Sequence, residues 1–245
     1  METTTKTLQT LTTTEVADKQ TVRPKVRIYK FTGKENHLYS VVEASLVTKN
    51  YRQNAGRLAV RGGFFARNIF EKILTQDGCV GIRNYFACNN DGTPALVLVA
   101  ADGNGNDMIH GWIGADMLPL SSNSNILNSD LEDHLVPDRK KSNVFTGEEN
   151  HSITIAEAKN FVQNYRKDKD ADAMKGGFFS RDIYERILDQ EGCVGIDCYF
   201  AEKEGGRPTV VLVGVDSKGN DLVHGIVGQV IVPCPPFCGG GDSAL

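Results

Sequence analysis

A chain of 245 residues with 40% apolar side chains is long enough for one large domain or two small ones and can bury a core, which excludes wholesale disorder. At 24% charged residues and a formal net charge of -4 it has no surplus of positive charge to release phosphate counterions, which argues against nonspecific nucleic-acid binding. The longest apolar run, Ala95 to Ala101, falls far below the roughly 18 to 20 residues of a membrane-spanning helix.

The first stretch, METTTKTLQTLTTTEVADKQ, lacks the contiguous apolar segment of a secretory signal, so the expected location is cytoplasmic. Its cysteines are then expected to be thiols or ligands. Residues 1–24 are rich in Thr and poor in large apolar groups and are expected to form a flexible tail.

From residue 25 the dominant feature is an internal repeat. Phe31-Thr-Gly-Lys-Glu-Asn-His37 returns as Phe145-Thr-Gly-Glu-Glu-Asn-His151, 114 residues on. At the same offset Gly62-Gly-Phe-Phe65 becomes Gly176-Gly-Phe-Phe179, and Gly78-Cys-Val-Gly-Ile82 becomes Gly192-Cys-Val-Gly-Ile196. This period exceeds that of stacked solenoid repeats. The expected organisation is repeat 1 over 25–119, a polar linker over 120–143, repeat 2 over 144–233, and a unique tail over 234–245.

Within each repeat, Val41, Ala44, Val47, Thr48 and Tyr51 make one helical stripe, matched by Ile155, Ala158, Phe161, Val162 and Tyr165. Ser40 with Glu43, and Thr154 with Glu157, read as capping boxes. Gly-Gly-Phe-Phe reads as a tight turn with two aromatic core residues. A second helix carries Ile69, Phe70, Ile73 and Leu74, matched by Ile183, Tyr184, Ile187 and Leu188. Arg67 with Glu71, and Arg181 with Glu185, mark its solvated face. Three strands follow, Cys79 to Ala87, Ala95 to Ala101 and Met108 to Ala115, separated by Gly- and Asn-rich turns. Asp102-Gly-Asn-Gly-Asn-Asp107 departs from a calcium loop at its sixth and twelfth positions and reads as one of these turns.

The predicted fold is therefore α+β, a tandem duplication of an α-α-β-β-β unit. Each unit is an antiparallel three-stranded meander with two helices on one face, and the two units pack as a pseudo-two-fold pair. The middle strand is apolar on both faces. Sheets or sheet edges of the sister repeat, or of a second chain in a homo-oligomer, are expected to cover its second face.

Candidate chemistry is sparse. Cys79 and Cys193, with His110 and His224, form a possible thiolate-imidazole set. In a meander, however, the first and third strands lie about 10 Å apart, so the cysteines read more simply as buried core residues and the histidines as strand-face residues. His37 and His151, near Glu35 and Glu149, supply too few ligands for a metal and read as parts of a loop docking helix one. Pro233-Cys-Pro-Pro-Phe-Cys238 has no counterpart in repeat 1. Cys234 and Cys238 could provide half of a zinc site, a local disulfide or an attachment point, or the segment is a structural strap.

Gln190-Glu-Gly-Cys-Val-Gly-Ile196, Asp216 to Asp221 and the Cys-Pro-Pro-x-Cys tail together resemble a group of small uncharacterised bacterial proteins, mostly built from one such unit. Repeat 1 lacks the Cys-Pro-Pro-x-Cys end. The resemblance implies no substrate and transfers no catalytic residue. The leading expectation is a noncatalytic module that binds a protein partner, against two alternatives: a thiol-dependent enzyme or sensor at Cys79 and Cys193, or a metal-binding module at Cys234 and Cys238.

Overall fold

The computed structural model describes residues 30–56, 59–120, 127, 144–229, 231–238 and 245. The predicted tail over 1–24 and all of the predicted linker but Leu120 and Leu127 lie outside them. In chain order the elements are α1 (Val41–Ala55), β1 (Gly62–Ala66), α2 (Arg67–Leu74), β2 (Cys79–Cys88), β3 (Pro94–Asp102), β4 (Ile113–Gly114) and β5 (Leu118–Pro119). Then come α3 (Ile155–Arg166), β6 (Gly176–Ser180), α4 (Arg181–Leu188), β7 (Cys193–Lys203), β8 (Arg207–Asp216), β9 (Val227–Gly228) and β10 (Val232–Cys234). The fold is mixed α+β, with two antiparallel sheets.

Both predicted capping boxes are formed. The Ser40 hydroxyl accepts from the Glu43 N–H while the Glu43 carboxylate accepts from the Ser40 N–H, and Thr154 and Glu157 do the same for α3.

The Gly-Gly-Phe-Phe segments correct the first expectation: they are strands, β1 and β6, not turns. Gly62 has φ +146°, and a Cβ there would run into the Cys198 carbonyl; Gly176 stands in the same relation to Asn84. The glycines permit a strand to approach its neighbour more closely than a side chain would allow. A second correction concerns the third predicted strand. Asp107 makes one bridge to Ala101, residues 108–112 then turn, and only Ile113–Gly114 re-enters the sheet.

The extra strands change the topology from a three-stranded meander. The sheet orders are β5-β1-β7-β8-β9 and β10-β6-β2-β3-β4, so each sheet takes strands from both ends of the chain. The joints are reciprocal: Gly62 pairs with Tyr199 where β1 meets β7, and Gly176 pairs with Tyr85 where β6 meets β2.

Helices α2 and α4 lie between the sheets, where Ile69, Ile73, Ile183 and Ile187 meet Ile82, Leu98, Ile196 and Leu212 in one core. The other face of β2 and β3 is covered by Ala158 and Val162 of α3, and that of β7 and β8 by Ala44 and Val47 of α1. This explains the doubly apolar β3 and β8. The predicted helix placement is corrected too: helices cover both faces, and the outer one comes from the opposite half of the chain.

Further contacts tie the halves together. Arg67 donates to the carbonyls of Leu188 and Cys193, and Arg181 donates to those of Leu74 and Cys79. Each arginine thus caps the C-terminal end of the other central helix, in addition to its predicted pairing with Glu71 or Glu185. The His37 loop docks on the start of α4, not on helix one. His37 Nε2 accepts from the Ser180 N–H at 3.0 Å, and the Gly33 carbonyl accepts from the Asp182 N–H at 3.0 Å. Likewise the Gly147 carbonyl accepts from the Asn68 N–H at the start of α2.

Candidate functional site

The fold places the predicted thiols and imidazoles in different environments. Cys79 and Cys193 open β2 and β7 in the central core, and their Sγ atoms lie 3.3 and 3.2 Å from the carbonyls of Gly81 and Gly195. Burial pushes both thiols up, which keeps them protonated near neutral pH. His110 and His224 sit exposed on the turns after Asp107 and Asp221 rather than on a strand face. Among the described residues neither histidine hydrogen-bonds a thiol, and no group of three or more His, Cys, Asp or Glu could hold a metal.

Cys234 and Cys238 are joined in a disulfide, with their Cα atoms 4.7 Å apart. In this state neither sulfur is a thiolate ligand. The Cys234 carbonyl accepts from the Lys175 N–H at 2.8 Å, which fixes the end of β10 beside the entry to β6.

Two buried polar clusters stand under the outer helices. On β2, Arg83 forms an ion pair with Asp107 and donates to the Gly105 carbonyl at 2.8 Å, while the Tyr85 hydroxyl donates to Asp107. Burial disfavours the Arg83 charge, but Asp107 and Tyr85 outweigh it and hold the guanidinium protonated. On β7 the matching position is Asp197, only 2% exposed beside Asp221 at 6%. The Tyr199 hydroxyl donates to Asp221 at 2.6 Å. Burial first, then the Asp221 charge, pushes the Asp197 carboxyl well above the ordinary carboxylate range. Sequence reasoning passed over both clusters. Their signal was a charged residue in the middle of an apolar strand, Arg83 in one half of the chain and Asp197 in the other.

The surface adds an asymmetry of another kind. Leu38, Val42 and Leu46 are 41%, 80% and 59% exposed, and their four-residue spacing sets Val42 and Leu46 along one outward line of α1 with Leu38 just ahead of it. The matching positions before and along α3 are Ser152, Ala156 and Asn160, and Asn160 donates to Asn90 of the β2–β3 hairpin at 2.6 Å. An apolar line facing water is a docking feature when it is contiguous. Single exposed apolar residues are ordinary.

No family model, curated protein or solved structure matches the chain. Among the described residues no helix is long and apolar enough to cross a membrane.

Proposed function

We propose that the chain is a noncatalytic binding module that arose by tandem duplication, with its two halves packed as a pseudo-two-fold pair and one protein partner seated on α1. The observation that carries this reading is the outward line of Leu38, Val42 and Leu46, matched before and along α3 by the smaller or polar Ser152, Ala156 and Asn160. A duplicated scaffold in which one half carries this line of large apolar side chains and the other does not presents it as a docking face once. The repeated element order and reciprocal strand registers support the duplication.

The buried, protonated thiols weigh against a thiol enzyme or sensor. The bonded Cys234 and Cys238 weigh against a zinc site in this state.

A photoreactive side chain placed at Val42 in the full chain, expressed in its native cells, tests the reading. The expected result is one adduct of defined mass that is lost on Leu46→Asp and absent when the probe sits at Ala156. No adduct, or equal adducts from both positions, overturns it. Rapid alkylation of Cys79 or Cys193 at pH 6 in the folded chain overturns it in favour of thiol chemistry.

A further inference from the structure

We propose that a cleft between the β7–β8 hairpin and the β10 strap binds a small organic anion, a carboxylate or phosphate group on a short apolar body, through Lys203, Arg207 and Thr209. The cavity is about 90 Å3 and lies where the hairpin of one sheet faces the edge strand of the other. Met174, Ile231 and Pro233 form apolar walls, and among the described residues no carboxylate lines it.

Three features point to an anion. Lys203 and Arg207 stand directly opposite each other in the β7–β8 ladder, a like-charge pairing that costs stability unless something negative lies between or over them. Neither forms an ion pair with a described residue, and the neighbouring Glu202 carboxylate is instead bonded by Asn54 from α1. Burial, and then Arg207, push the Lys203 amine down, so the site holds its positive charge against both solvent loss and repulsion.

Thr209 is the second feature. It is buried, and its hydroxyl is hydrogen-bonded to the Gln229 side-chain amide at 2.9 Å. A hydroxyl held by an amide beside two cations gives the cleft wall a polar group that can bond an anionic oxygen.

The third is that the whole set belongs to one copy. Where the trailing half has Lys203, Arg207, Thr209 and Gln229, the leading half has Asn89, Thr93, Ala95 and Ala115. The two cations and the Thr209–Gln229 pair are absent together from the matching positions. That is expected of a site and not of two cations scattered on a surface.

The test is a two-dimensional amide NMR titration of the full chain with sodium phosphate and with sodium butyrate, each matched for ionic strength with sodium chloride. Saturable shifts at Lys203, Arg207, Thr209 and Gln229 with either probe, absent with chloride, are expected. Saturation by butyrate alone supports a carboxylate ligand, by phosphate alone a phosphorylated one, and by both the shared anionic group. Arg207→Gln is expected to weaken binding by about tenfold, as a lost charged hydrogen bond does, and Lys203→Gln/Arg207→Gln to abolish it. No saturation by either probe, or saturation unchanged in both variants, overturns the proposal.

Discussion

Under α3, Asp107 is buried against Arg83, whereas under α1 Asp221 is buried against a second acid, Asp197. The surroundings match in part: Arg166 of α3 also acts on Asp107, whereas the matching Arg52 of α1 donates to the Leu127 carbonyl. Each acid follows a turn between strands, each accepts from the tyrosine two positions after Arg83 or Asp197, and each strand register recurs at the same offset. One backbone thus supports two ways of burying a carboxylate. With arginine opposite, the charge is balanced by a charge. With aspartate opposite, two carboxylates cannot both ionise at close range, and a proton takes the place of the cation. The first arrangement depends on a partner that stays charged at all ordinary pH, and the second on a proton that solvent can remove.

The largest expected effect breaks the first arrangement. Arg83→Met leaves Asp107 buried without its guanidinium, and loss of one partner of a buried pair costs about 3 to 5 kcal/mol. Urea unfolding at pH 7 measures it. The variant should also acquire the behaviour of the other cluster, its deficit shrinking toward pH 4 as Asp107 takes up a proton. A deficit independent of pH would mean that Arg83 acts by packing alone.

A smaller effect sharpens the second arrangement. The Asp197 carboxyl titrates higher in the folded chain than in the unfolded one. Between the unfolded value, about 3.9, and the raised folded value, the folded chain holds a proton that the unfolded chain has released. Its contribution to stability is therefore complete below about pH 4 and is lost as pH rises through the folded value. Asp197→Asn keeps a donor toward Asp221 and removes the titration. The wild type should lose stability relative to this variant by up to about 1.4 kcal/mol per pH unit as pH rises from the unfolded value toward the raised folded one. Parallel curves would show that Asp197 is not the proton holder.

How much of this was legible in the sequence depended on how local the cause was. The helices, their stripes and their capping boxes rest on contacts three or four residues apart, and the periodicity displays them. The β1 and β6 strands rest on partners more than ninety residues away, Tyr199 for Gly62 and Tyr85 for Gly176. Glycine is also depleted in strands, so the Gly-Gly pair reads as a turn. Met108 to Ala115 alternates like a strand, but Gln76 reaches Trp112 from the end of α2 and the chain turns there instead. The apolar run of β3 announced a covered second face without saying that a helix would cover it. The reversal of charge from Arg83 to Asp197 stood in the aligned halves of the sequence from the start. Its meaning required Asp107 and Asp221, which reach the same place only through a bridge beyond the turn.

The smallest effect is a control on the comparison itself. Ser40 and Thr154 cap the helices that cover the two clusters, through the same reciprocal pairs of hydrogen bonds. Ser40→Ala and Thr154→Ala should each cost about 1 kcal/mol. If the halves differ in the buried charges and not in the stiffness of their lids, the two losses should be equal and should not change between pH 5 and 8. Glu43 and Glu157 support this, since hydrogen bonds from Ser40 and Thr154 hold both carboxyls below their ordinary value, ionised throughout that window. A larger loss at Ser40 that grows with pH would show that α1 senses the Asp197 proton, and the contrast would then extend from the two clusters to the helices above them.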